Sequence, residues 1–512
     1  MAVGKIDMAW FTVNKKKILF YFYIFLFLGC ILLVRRFDHT VPSIKITNYS
    51  KSPDSSNKNI PTSVGNTPKN AIHSSKATTE YPIICPTTST NQTCLKTNYP
   101  TTIEVNEANI ISSSIDSCPN YFRWIHEDLR PWVSKGITKE SLEAGKNVAS
   151  FRLIILEGRV FLQRYKRIYE TRDMFTIWGI LQLLRLYPGK LPDLDLMFES
   201  GDKPVIKKSD YHEAAANYTS PVPPMFHYFG DDQHFDIPFP DWSFWGWQEK
   251  NIKPWGTQLN DIIEGNQKVK WVNRVPYAYW KGNSLTGNRR DLLRCNSTRA
   301  SKAQIYDQSS PEEVNHGFKQ SNMAAQCTHR YKIYMEGKAW STSGKYIQAC
   351  DSMLLLVQPQ YYEFYTRSLL PLKQYWPINP SKLCESIKFA VVWGNKHPNK
   401  AQEIAKGGSK FITEELNMKY IYDYMFHLLN EYGKLMKYKP TIPPNAVEVC
   451  TETMACKTSL KDKEWKLNSL VKAPSQTSPC SIPPAYDPHH LQTFLKTKEE
   501  ILRDVEGLSR VG

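Results

Sequence analysis

Val275-Pro-Tyr-Ala-Tyr-Trp-Lys-Gly-Asn-Ser-Leu-Thr-Gly-Asn-Arg-Arg-Asp291 is the stretch on which the fold turns. Residues 275–280 read as a buried strand. A polar loop follows with Lys281, Gly282, Asn283 and Gly287, and Arg289 and Arg290 then open a helix. Glycines let a backbone approach a ligand closely, and cationic donors favour a phosphate. An ordinary strand–loop–helix turn with surface arginines has the same pattern. The pattern recurs in Tyr331-Lys-Ile-Tyr-Met-Glu-Gly-Lys-Ala-Trp-Ser-Thr-Ser-Gly-Lys-Tyr346: a strand, Gly337, the hydroxyls of Ser341, Thr342 and Ser343, then a helix carrying Lys345. Free N–H groups at that helix start can hold a diphosphate, although plain Ser/Thr capping needs no ligand. Two such units in one half of the chain favour a nucleotide-linked donor more than either does alone.

Working outward, residues 151–157 and 159–165 form a strand pair around Gly158, 174–186 a helix with an apolar face, and 191–198 a strand. Further strand-like runs lie at 331–335, 352–357 and 389–393, with helices expected at Lys345–Cys350, Asn399–Gly407, Met418–Tyr438 and 488–505. Strands spaced by helices argue for an α/β fold with parallel, doubly wound sheets.

The chain has 512 residues, 41% of them hydrophobic, which supplies a sizeable core and excludes disorder throughout. Its net charge of +16 suits polyanions, anionic membranes or phosphorylated substrates without choosing among them. Residues 18–34 are uncharged and flanked by Lys15–Lys17 and Arg35–Arg36, which reads as a transmembrane helix. A cleaved signal peptide is the alternative, and no small-residue cleavage site follows. Residues 35–115, rich in Ser, Thr, Asn and Pro, read as a flexible, disordered stem, clipped by a Cys85–Cys94 bridge. Ten of the eleven cysteines and the sequons at Asn48, Asn91, Asn217 and Asn296 follow the anchor, as expected for an oxidising lumen.

The carboxylates concentrate in Leu191-Pro-Asp-Leu-Asp-Leu-Met-Phe-Glu-Ser-Gly-Asp-Lys-Pro204. Asp202 follows Gly201 at a strand end, where a loop residue reaches a cleft and can act as general base on an acceptor hydroxyl. Asp193-x-Asp195 is a weak match to a metal-binding pair, and no metal is expected. The aromatic segment Pro238–Trp247 offers faces and polar tips for sugar or peptide recognition, or simply a core corner. Trp245, Trp247 and Arg172 are the expected acceptor contacts. No CxxC, Walker A, HExxH or GxSxG motif occurs. Nucleic acid is not an expected partner.

The segments LPDLDLMFESGDKPVI, FPDWSFWGW, AYWKGN…RRDLL, YKIYMEGKAWSTSGKYIQACDS, EFYTRSLLPLKQYWPI and AQEIAKGGSKFI together resemble the CAP10/Rumi-like protein O-glucosyltransferases (glycosyltransferase family 90), especially their plant branch. The resemblance implies a GT-B-like fold, two Rossmann-like domains with a cleft between them. It also implies inverting, metal-independent transfer from a UDP-sugar, with no cofactor beyond that donor. The family's base is an Asp in a D-aromatic-Pro segment, which falls on Asp202, with Lys203 in place of the aromatic. Its donor contacts fall on Asn283, Arg289, Ser341 and Ser343. An arginine is replaced at Ser343, with Lys345 nearby as substitute.

The expected layout is a cytosolic tail (1–17), the anchor (18–34), the stem (35–115), an acceptor-side domain (116–265), a nucleotide-sugar domain (266–440) and an extension (441–512). This is a single-pass type II protein of the Golgi or endoplasmic reticulum membrane with a lumenal body, held by its span because Arg510-Val-Gly512 is not a retention signal. Glucose is the expected sugar and a protein or glycan the acceptor. Xylose transfer to a glycan and an inactive lumenal sugar- or peptide-binding protein are the alternatives.

Overall fold

The computed structural model describes Ile83, Cys85, Cys94 and residues 116–511, apart from 212, 215, 216, 219, 220, 317, 319–321 and 457. The expected anchor, most of the stem, and the sequons at Asn48 and Asn91 lie outside the described residues. Among the described residues no helix is long and apolar enough to cross a membrane.

The first sheet starts from a hairpin. β1 (Phe151–Leu156) and β2 (Arg159–Arg164) pair antiparallel across Glu157 and Gly158, both at positive φ, 50° and 72°. Such turns twist in the same sense as the strands they join. β1 also pairs antiparallel with β3 (Leu194–Phe198), all of whose side chains are buried. A two-residue ribbon, β4 (Glu213–Ala214) and β5 (Asn217–Tyr218), stands apart. Beyond β3 the strands turn parallel, first β6 (Met225–His227) and then β7 (Ile237–Pro238). The sheet is therefore mixed, not the parallel Rossmann sheet expected. Only β3, β6 and β7 follow the parallel rule.

The second sheet is wholly parallel. Its strands are β8 (Val275–Gly282), β9 (Ala303–Asp307), β10 (His329–Tyr334), β11 (Met353–Val357) and β12 (Trp376–Ile378), in the order β12-β11-β10-β8-β9. The chain leaves β8 for β9 on one side, then crosses to β10 on the other. The strand order thus reverses between β8 and β10, and in open α/β sheets the crevice outside the carboxyl ends at such a point is where ligands bind.

Residues 389–393, expected as a strand, belong to the helix Leu383–Lys396. Its buried residues Leu383, Ile387, Ala390, Val391 and Gly394 recur at helical spacing, with Gly394 against the ring of Tyr331. A five-residue apolar run fits either period, and the length of the element decides between them.

The boundaries also differ from those expected. The helix Met418–Leu435, placed by sequence in the second domain, joins the core of the first sheet: Tyr432 donates to the Asp195 carbonyl at 2.9 Å, and Gly433 lies against Pro192 and Leu194. β13 (Val447–Val449) extends the first sheet beside β2, so residues 441–512 are not a separate appendage. All ten described cysteines pair. Cys85–Cys456 and Cys94–Cys450 fasten the segment before the body to the chain's C-terminal part, Cys118–Cys480 ties the start of the body to that part, and Cys295–Cys384 and Cys327–Cys350 staple the second sheet's unit. The expected Cys85–Cys94 bridge does not form. Folding brings both cysteines closer to distant partners than to each other.

Candidate active site

Asp202 lies four residues beyond the carboxyl end of β3. Its loop is held from below. Glu199 accepts from the Gly201 N–H at 2.8 Å and from Ser150 Oγ at 3.0 Å, and Ser150 Oγ accepts from the Ser200 N–H at 3.0 Å. A Cβ on Gly201 would come within 2.5 Å of the Glu199 carboxylate, so any larger residue there would have to displace it. Arg172, the first residue of the helix Arg172–Leu186, donates to Ser200 O at 3.1 Å and to Asp202 Oδ1 at 3.0 Å, while its guanidinium lies 4.7 Å above the Trp242 ring. Arg172 is buried, whereas the Asp202 side chain is 42% exposed. Lys338, from the loop after β10, reaches to 3.8 Å from its other oxygen. The carboxylate therefore faces the loops of the second sheet.

Those loops carry the predicted donor residues. Asn283 and Arg289 follow β8, Ser341 and Ser343 follow β10, and β8 and β10 are the neighbours at which strand order reverses. The two loops touch. Gly287 has φ +59°, and a Cβ there would meet the Gly337 carbonyl at 1.9 Å. Arg289 donates through Nε to the carbonyls of Met335 (3.2 Å) and Glu336 (3.1 Å), leaving its guanidinium next to Gly337. Burial pulls its pKa below the usual arginine value, against the pull of Tyr334 and Glu336. The Ser341 and Ser343 hydroxyls are 2.9 Å apart, and the Ser341 N–H donates to Tyr334 Oη at 3.0 Å. Asn283 is exposed, its side-chain oxygen accepting from the Leu285 N–H at 2.8 Å.

Two expected site residues face inward instead. Lys345 is wholly buried and donates to Asp241 Oδ2 at 2.8 Å, with buried Glu363 nearby. Burial alone would lower its pKa, but Asp241, Tyr346 and Glu363 together carry it above the ordinary lysine value. It cannot stand in for a missing arginine at a diphosphate, because the first turn of a helix points residues 343 and 345 to different sides. Trp245 is wholly buried against Gly179, where a Cβ would sit 2.4 Å from its ring, and it donates to Tyr422 Oη at 3.0 Å. It is a core residue, not an acceptor contact. Trp247 is half-buried and donates to Glu170 Oε2 at 2.7 Å.

The Asp193-x-Asp195 pair is engaged within the protein. Asp195 is buried in a two-pronged pair with Arg152 at 2.7 and 2.6 Å, and Asp193 accepts from the Glu157 N–H at 2.7 Å. Among the described residues the one grouping with ligand-like spacing is Cys118, His427 and Cys480, whose cysteines are joined in a disulfide. Sequence reasoning missed Lys338, Glu336, Asp241 and Glu363. The first two sat within the quoted loop, but nothing in the spacing distinguished them from solvated charges.

A cavity of about 830 Å³ adjoins the Ser341–Ser343 turn through Trp340 and Gly344. Tyr361 and Glu363 line it from the segment after β11, and His234 and Phe235 from the first sheet's side. Asp202, Asn283, Arg289, Ser341 and Ser343 are not among its lining residues.

Comparison with known proteins bears on this geometry. The family described as Glycosyl transferase family 90 matches residues 113–509. An O-glucosyltransferase rumi homolog of Anopheles gambiae is 24% identical over 364 residues, covering 69% of this chain and 87% of that protein. Protein O-glucosyltransferase 1 of Homo sapiens is 24% identical over 344 residues, covering 64% and 83%. O-glucosyltransferase rumi of Drosophila melanogaster is 24% identical over 336 residues, covering 63% and 78%. The C-terminal domain of a glycosyl transferase group 1 family protein from Francisella tularensis aligns at a TM-score of 0.23 and 9% identity, over 34% of this chain and all of that one, too low to bear on the fold.

Proposed function

The chain belongs to glycosyl transferase family 90 and is a glycosyltransferase, and from that premise we propose that it transfers a sugar, glucose first among candidates, from a UDP-sugar to a hydroxyl of a protein or glycan with inversion and without a metal. The relatives' names, O-glucosyltransferases in each case, support the choice of sugar. The observation that carries the reading is the position of Asp202, a half-exposed carboxylate at the end of β3, held by Arg172 and turned toward Lys338 of the donor-side loop.

In this reading Asp202 takes the proton from the acceptor hydroxyl as its oxygen bonds to the anomeric carbon. The bond from that carbon to the diphosphate oxygen breaks on the opposite face, and UDP leaves with the electron pair. Arg289 and the Ser341 and Ser343 hydroxyls donate to the departing diphosphate, which is where charge develops. The cavity beside Trp340 and Gly344 has room for the nucleoside. Trp247 and Arg172 remain on the acceptor side, Arg172 acting through Asp202. A lumenal body behind a type II anchor at 18–34 fits the five disulfides. Protease treatment of intact microsomes should spare the body, and its loss would reject that topology.

The test is UDP release from UDP-glucose and UDP-xylose, with and without hydroxyl acceptors, by the wild-type chain and Asp202→Asn. Transfer should fall by about 10²–10⁴-fold in the variant, with UDP binding and melting temperature retained. Near-normal turnover would remove Asp202 from the role of base. Faster turnover of UDP-xylose would change the sugar and leave the chemistry intact.

A further inference from the structure

Glu336 stands two residues past β10 and joins three parts of the molecule. Its two carboxylate oxygens accept from adjacent backbone N–H groups, Gln360 at 3.0 Å and Tyr361 at 2.9 Å. The segment carrying those groups reaches across to the first sheet's side. Tyr362 and Gly230 exchange backbone hydrogen bonds at 2.9 Å each, Tyr362 Oη donates to Asp231 O at 3.0 Å, and Arg367 pairs with Asp128 at 2.6 Å. On its other side the carbonyl of Glu336 accepts from Arg289 Nε.

An ordinary loop closure accounts for two satisfied N–H groups, but here the same residue also accepts from Arg289 through its carbonyl, so one position joins the segment to the donor-side loop. Each of the two carboxylate oxygens takes one of the two adjacent donors, so the side chain holds both N–H groups at once. An amide offers one oxygen and turns an NH₂ against the second donor. Burial pushes the Glu336 carboxyl up to about 7, against the pull of both N–H groups and Arg289. The two N–H bonds and Arg289 thus favour the charged form against the cost of burying it.

We infer that Glu336 is a positioning residue of the donor site: its carboxylate fastens the 358–368 segment to the loop on which Arg289 rests, so that donor affinity depends on it while the proton transfer at Asp202 does not. The inference rests on the UDP-sugar reading above. The titratable or charged groups facing the carboxylate are Arg289 from the loop after β8, Tyr334 from its own strand and Tyr361 from the segment. None of them changes charge between pH 6 and 8. Glu363, further along the segment and likewise raised by burial, is retained in a Glu336 variant, so the difference between variant and wild type isolates Glu336.

The experiment uses the full chain, with UDP affinity and donor KM measured from pH 6 to 8 for wild type, Glu336→Gln, Arg289→Ala and the double variant. Glu336→Gln should raise UDP Kd and donor KM about fivefold to tenfold, with kcat within about twofold. Wild-type affinity should weaken as pH falls through about 7, and the variant should lack that component. The double variant should be no weaker than Arg289→Ala alone. Amide exchange at Gln360 and Tyr361, read without any donor, should speed up in Glu336→Gln. Unchanged exchange, wild-type KM or an additive cycle would overturn the inference. A wild-type chain that binds no UDP, with exchange still accelerated in the variant, would overturn the donor reading and reduce Glu336 to a structural tie.

Discussion

Two ion pairs of nearly equal length, Arg172–Asp202 at 3.0 Å and Lys345–Asp241 at 2.8 Å, sit in opposite surroundings. The Asp202 side chain is 42% exposed, whereas those of Lys345 and Asp241 are 0% and 1% exposed. In the first pair the carboxylate stays wet, its second oxygen 3.8 Å from Lys338, as the role of base proposed for it requires. In the second, both charges are taken out of water, and their hydrogen bond compensates a desolvation cost that neither could bear alone. The same kind of pair thus leaves its carboxylate open to solvent in one region and serves cohesion in the other, and solvent access makes the difference. Lys345–Asp241 joins the helix Ser343–Gln348 to the aromatic segment of the first sheet, so it holds the Ser341–Ser343 turn in place without touching a ligand.

The contrast can be broken by measurement. Asp202→Asn should give the largest effect on rate and almost none on stability, because a pair this exposed is worth about 1 kcal/mol or less. Lys345→Met should do the reverse, costing about 3–5 kcal/mol in chemical denaturation by stranding a buried carboxylate. Adding Asp241→Leu should recover most of that loss, since replacing both partners with apolar groups is often neutral. A double variant as unstable as Lys345→Met alone would show that packing, not charge, holds the seam. Cys118→Ser with Cys480→Ser opens a link 362 residues long in sequence and should cost about 2–5 kcal/mol. An unchanged denaturation midpoint would show that the terminal segments contribute little to the body.

The smallest effect concerns pH. Burial raises Glu336 to about 7 and Asp236 to about 6, despite backbone N–H donors to each. Carboxyls raised in the folded chain hold protons that the unfolded chain releases. Their stabilising contribution is full below about pH 4.5 and is lost as pH rises to about 7. Melting temperature should therefore decline between pH 5 and 7 on account of these groups, with a shallower slope in Glu336→Gln. An equal slope in that variant would assign the decline elsewhere.

Three strands of the second sheet were legible from short runs rich in aromatic and aliphatic residues, two of them followed by glycines where loops must touch, whereas β9 and β12 were not read as strands. Those cues located β8, β10, β11 and the loops holding Asn283, Arg289, Ser341 and Ser343. The run at 389–393 was misread because five apolar residues carry no period. Trp245 and Lys345 were misassigned because a residue's type says what it can contact, not which way its backbone turns it.

The sequence by itself determined the local order of elements, the family and the composition of the two glycine loops, since these depend on neighbouring residues and on side-chain periodicity. Only the tertiary structure decided that the first sheet is mixed, that residues 418–449 return to complete it, which cysteines pair, and which charges are wet. Each of these depends on contacts between residues tens to hundreds of positions apart, and burial, which sets the worth of a charge, is a property of those contacts.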